Sequence, residues 1–170
     1  MNETAAQYTR RILGYQRGKK PFAVLRGTPR RIGVLLRGAT AKQLRWKPTP
    51  DRWSIGEILA HLADTEVTFG FRIRLVLGSN GTRIQAFDQD VWATNFRYEL
   101  QDPGGSFAAY CAQREHNITL LRLLPHGMWN YYGRHEERGK ETISRMTRMM
   151  AGHDINHLKQ IESLIRGNGI

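Results

Sequence analysis

The sequence predicts an all-α chain: a four-helix bundle with an extra helix at its N-terminus. Three observations carry this. Apolar residues recur at helical spacing over several segments, capping and stop residues punctuate those segments, and little of the chain reads as strand. At 170 residues, with 40% hydrophobic and 24% charged residues, there is material for one domain with a proper core, and disorder is excluded.

The first helix is expected over residues 3–17, with Ala5, Tyr8, Ile12 and Tyr15 on one face, Gly18 as its stop and Lys20-Pro21 as the break. A second helical piece is expected to begin at Thr28 as N-cap with Pro29 in the first turn, carry Ile32, Leu35 and Leu36, and end at Gly38. Arg45–Ser54 is a proline-rich connection. Ser54-Ile55-Gly56-Glu57 then has the form of a capping box, and Trp53 stands where it can staple onto Ile58. That helix is predicted to run to about Leu77, with Ile58, Leu62, Phe69, Ile73 and Val76 as its buried stripe.

Residues 80–102 read as a long, mostly irregular link. A helix over 105–124 follows, built on Phe107, Tyr110, Cys111, Ile118, Leu121 and Leu124. Pro125–Gly139 is a second irregular link, and a last helix runs from about Lys140 to Arg166. The chain divides at about residue 27, into a basic helical extension (1–27) and the bundle proper (28–170).

No apolar run approaches the roughly 18 residues of a membrane span, and "MNETAAQYTRR" lacks the apolar core of a secretory signal. One cysteine, Cys111, makes no internal disulfide, so the cytoplasm is the expected compartment. The net charge of +11 is unevenly placed. Residues 1–50 hold 12 Lys/Arg against one acid, Glu3, while the rest is balanced. A basic face of this kind fits either a solvated surface or contact with nucleic acid or an anionic lipid surface. A homodimer is expected from the commonness of two-fold assemblies.

Two imidazoles interrupt the last helix's stripe. His153 and His157 are one turn apart on the same face. That spacing suits a shared metal ion, and it equally suits buried histidines satisfied within the core. His61 borders the stripe of the capped helix, so three imidazoles from two packed helices can meet around one cation. His116, His126 and His135 read as surface groups. Asp64 and Asp154 are candidates for orienting a ligand imidazole; as helix carboxylates they could equally face solvent. Glu66 is expected near the cavity rim, and Asn156 and Gln160 flank the turn of His157. Asp88, Asp90 and Trp92 lie in the link. Cys111 and Met146, Met149 and Met150 read as core filling.

"RWSIGEILAHLADTE" followed by "MMAGHDINHLKQI" resembles the DinB/YfiT-like metalloprotein superfamily, whose pattern is a Trp-Ser-capped helix bearing HLxDxE and a final helix bearing HxxxHxxQI. The resemblance spans about Thr28 to Gly167. It implies a four-helix bundle with a long crossover between its second and third helices, supplied here by residues 80–102. It also implies a divalent metal on His61, His153 and His157. Imidazole ligands suit zinc or nickel, with iron, manganese and copper also open. The resemblance further implies either a metal-dependent hydrolase or a transferase using a low-molecular-weight thiol on the metal, with a small-molecule substrate that the sequence does not name. The alternative reading is a non-catalytic module whose basic N-terminal region binds an anionic partner.

Overall fold

The computed structural model describes residues 3–168; the outermost ends of the two expected units, residues 1–2 and 169–170, lie outside them. Among the described residues there are seven α-helices and three short strands: α1 (Ala5–Gln16), α2 (Pro21–Leu35), α3 (Ala41–Leu44), α4 (Ile55–Gly78), β1 (Arg83–Ile84), α5 (Gln89–Asn95), α6 (Pro103–Arg122), β2 (Tyr132–His135), β3 (Gly139–Thr142) and α7 (Ile143–Asn168). The bundle is α2, α4, α6 and α7. Helix α4 packs on α6 and α7, and α2 packs on α6 and α7. Helix α1 lies along α7. The link between α4 and α6 is the crossover.

Local chemistry sets the boundaries. Thr4 caps α1 through a reciprocal bond with Gln7, and Gly18 turns the chain at φ +75°. Ser54 and Glu57 form the expected capping box on α4, reinforced by an ion pair from Lys47 to Glu57 at 2.6 Å. Asp102 caps α6, its carboxylate accepting the Gly105 N–H at 2.7 Å.

Helix α2 departs from expectation. It starts at Pro21, not after Thr28, because Pro21 occupies the tolerated first-turn position. Pro29 therefore sits inside the helix and lacks the N–H that would satisfy the Leu25 carbonyl. Arg114 of α6 satisfies that carbonyl instead, donating from Nη1 at 2.9 Å. Thr28 caps nothing; its hydroxyl donates to the Val24 carbonyl at 2.9 Å.

The two links are also more ordered than their composition suggests. β1 pairs in parallel with β2, with Ile84 opposite His135, and β2 pairs antiparallel with β3. The segment before α7 is therefore strand, and the helix begins at Ile143 rather than Lys140.

Two apolar clusters fill the bundle. One holds Leu25, Phe69, Ile73, Ile118, Met146 and Ala151; the other holds Ile32, Ile58, Leu62, Tyr110, Leu158 and Ile161. Each fully buried Ile or Leu contributes about 1.5–3 kcal/mol. Between the clusters every bundle helix places polar groups: Thr28 on α2, Glu66 on α4, Arg114 and Asn117 on α6, and His153, Asp154 and His157 on α7. Much of the basic excess is exposed on or just after α1 and α2, at Arg10, Arg17, Arg26, Arg30 and Arg37, while Arg11 and Arg31 pair with Glu3 and Glu162.

Candidate metal centre

The waist between the clusters brings the three histidines together. His61 Nε2 lies 3.0 Å from His153 Nε2, and His157 Nε2 lies 3.0 Å from the same nitrogen. The rings are 2%, 7% and 5% exposed. Burial, first, holds all three well below the usual imidazole range, with each ring's neighbours adding to the effect for His61 and His153. His157 is brought down to about 4, chiefly by burial, with the Gln160 hydrogen bond opposing it. The rings are therefore neutral at neutral pH, the state in which imidazole is a ligand.

The surroundings orient them. His157 Nδ1 is 2.8 Å from Gln160 Oε1. With that oxygen as acceptor, Nδ1 carries the proton and Nε2 presents a lone pair to the cluster. The Trp53 indole lies against His61, ring centres 4.9 Å apart. Thr65 Oγ1, one turn along α4, is 3.4 Å from His61 Nε2. His153 Nδ1 is buried without a partner among the described residues.

Such crowding fits a cation. Three neutral nitrogens facing one another cannot all be satisfied by hydrogen bonds among themselves. Nitrogens each about 2.0–2.1 Å from one ion lie about 3 Å apart or a little more. Among the described residues these three form the group able to hold a metal.

Neither aspartate touches a histidine. Asp64 accepts the Tyr98 hydroxyl at 2.6 Å. Asp154, wholly buried, points away from its neighbour His153 and takes both Nη groups of Arg114, at 2.6 and 2.8 Å. Its environment is thus a buried ion pair, not an imidazole and not solvent. Glu66 is likewise not at a rim. It is wholly buried, accepting from Arg114 Nε and Nη2 at 3.0 and 2.8 Å and from Asn117 at 3.0 Å.

Arg114 had no part in the sequence reading, although the signal existed: it stands between Tyr110 and Ile118 on the same face of α6, where a cation must have buried partners. His135 is a second correction. It is 3% exposed on β2, not on the surface, whereas His116 and His126 are exposed.

Two cavities flank the cluster. One, of about 700 Å³, is lined by His61, His153, Thr65, Tyr8, His135 and Arg72 among others. The other, of about 630 Å³, reaches His157, Trp53 and Gln160. Tyr8 and Asp90 line both. The centre is accessible from two sides, and α1 supplies part of each wall.

A sequence profile for the DinB superfamily matches residues 25–161. The chain is 24% identical to the "Putative metal-dependent hydrolase YfiT" of Bacillus subtilis over 162 residues, 94% of this chain and 90% of that protein. A "Putative metal-dependent hydrolase" of Oceanobacillus iheyensis is 28% identical over 115 residues, 67% of this chain and 66% of that protein, just under two thirds of it. Among solved structures, YfiT from Bacillus subtilis, described as "a probable metal-dependent hydrolase with an unusual four-helix bundle topology", superposes with a TM-score of 0.79 at 21% identity, over 99% of this chain and 91% of that one. That likeness establishes the fold.

Proposed function

The chain belongs to the DinB superfamily, and on that premise we propose that it is a metal-dependent hydrolase whose divalent ion is held by His61, His153 and His157. The observation that carries the reading is the buried His153 Nε2 with the Nε2 atoms of His61 and His157 each 3.0 Å from it, all three ligand atoms lying within 4.8 Å of one another. The names of the relatives support hydrolysis. Zinc or nickel suits the all-nitrogen donor set. A cation held by these three rings would supply Lewis acidity and would lower the pKa of a water beside it.

The chain's own residues do the rest. Burial keeps the imidazoles unprotonated. Gln160 fixes the His157 tautomer. The Thr65 hydroxyl, half-buried on the cavity side, is placed to hydrogen-bond a water or substrate oxygen beside His61. The apolar methionines Met146, Met149 and Met150 line the larger cavity and limit the water around the site. The lone cysteine, Cys111, supports a reducing compartment.

The test uses protein purified without a histidine tag. Elemental analysis is expected to find one equivalent of metal. His157→Ala is expected to lose it while keeping its helix content by circular dichroism. Hydrolysis of a panel of activated esters and amides should stop with a chelator and return with metal. One equivalent of metal retained by His157→Ala would remove the ligand assignment. Turnover that depends on an added low-molecular-weight thiol would move the reading to thiol transfer, which the same open site accommodates.

A further inference from the structure

The cavity against His61 and His153 has a second polar wall that the metal reading leaves unused. His135 stands on it. Its Nδ1 accepts the Glu137 backbone N–H at 3.2 Å, so the neutral ring carries its proton on Nε2. That Nε2 is buried without a partner among the described residues. An unmet buried donor carries an uncompensated desolvation cost, removed when an acceptor arrives.

Two guanidinium groups line the same cavity. Arg72 of α4 lies over the Phe87 ring at 5.4 Å and gives one Nη2 bond to the Gln85 carbonyl, leaving Nε and Nη1. Arg138, at the β2–β3 turn, spends Nε and Nη2 on Glu141 and leaves Nη1. The carboxylates of this wall are mostly engaged. Glu141 holds Arg138 and Arg145, Asp88 caps α5, and Glu3 holds Arg11. Asp90 and Glu137 are exposed.

We propose that His135, Arg72 and Arg138 form a subsite for a compact oxyanion, a carboxylate or phosphate group carried by the substrate, in the cavity that His61 and His153 also line. The assignment of that anion to a substrate rests on the hydrolase reading above. Guanidinium and imidazole N–H groups together match the acceptor geometry of such a group, and arginine does so through paired donors. Burial, with Arg138 close by, brings the Arg72 guanidinium down to about 10. A bound anion offsets the repulsion between the two guanidinium groups.

The test titrates inorganic phosphate and, separately, acetate into the metal-free full-length protein, so that neither anion reports on a bound ion. The ¹⁵N signals of the His135 ring are followed by NMR and affinity by calorimetry. At least one anion is expected to shift the His135 Nε2 signal. Arg72→Gln and His135→Phe are expected to weaken binding tenfold or more, and Arg122→Gln, an exposed control on α6, to leave it unchanged. A preference for phosphate or for acetate tells which group the subsite takes. His135 signals unmoved by either anion would overturn the proposal, as would variants that bind like the wild type. The wild-type spectra decide the matter even if a variant fails to fold. Anion binding by a protein that takes up no metal would keep the subsite and remove the hydrolase reading; the converse result would do the reverse.

Discussion

Gln160 is exposed, yet it decides which nitrogen of His157 faces the cluster. Replacing it with Leu removes the acceptor and frees the ring to rotate or change tautomer. Partners of this kind typically govern about 10–100-fold in metal affinity, whereas an exposed side chain changes stability by only about 0.5 kcal/mol. Gln160→Leu is therefore expected to weaken zinc binding at least tenfold in competition with a chromophoric chelator, at nearly unchanged midpoint in urea. Equal affinity, or a large loss of stability, would show that Gln160 does not orient the ring. At this scale the sequence was informative about spacing and silent about direction. The interval between His153 and His157 was visible as one helical turn, and His61 as a border of its stripe. The aspartates turn to Tyr98 and Arg114 because adjacency in sequence does not set where a side chain points. Asp154 follows His153 directly but emerges about 100° around the helix, where Arg114 meets it.

The elements carry a different kind of information. Helix α4 was legible at both ends because Ser54, Glu57 and the Gly78 region are local signals. Helix α2 was not, because the partner that makes Pro29 tolerable inside it is Arg114, far along the chain. The three strands are two to four residues long and alternate over too few positions to show a period. His135, the last residue of β2 before the turn to β3, therefore carries no strand signal of its own. Helix α1 was found by its own periodicity, but its docking depends on a glycine in another helix. A Cβ at Gly152 of α7 would run into the backbone carbonyl of Ile12, and backbone cannot step aside as a side chain can. Gly152→Ala is expected to lift α1 from α7, lowering stability by about 1–3 kcal/mol. Hydrogen exchange of the α1 amides should accelerate while the protection of α4 and α6 persists. Unchanged exchange in α1 would mean the contact is not needed to seat it. Since Tyr8 lines both cavities, the same variant connects the N-terminal helix to the site.

Across the whole molecule, the polar waist between two apolar clusters makes stability depend on protons and metal together. His157 has its pKa depressed from 6.5 to about 4, and His61 and His153 are depressed as well, in each case first by burial. Above pH 6.5 both folded and unfolded chains hold these rings neutral, and the stability is fully present. Between 6.5 and about 4 the unfolded chain takes up protons that the folded chain refuses. Stability therefore falls as the pH falls through that window, by on the order of 3 kcal/mol for His157 alone. His135, also depressed to about 4 by burial, acts in the same direction. A cation bound only by the folded state adds stability, but it needs the same unprotonated nitrogens. Melting curves of metal-free protein should thus decline steadily from pH 6.5 toward 4. Saturating zinc should raise the melting temperature at pH 7 by several degrees and lose that advantage as the rings protonate. A metal-free melting temperature flat across the window would mean that the buried imidazoles accept protons in the folded state as readily as in water. A zinc increment that persists at pH 4 would place the ion on carboxylates instead of on these three rings.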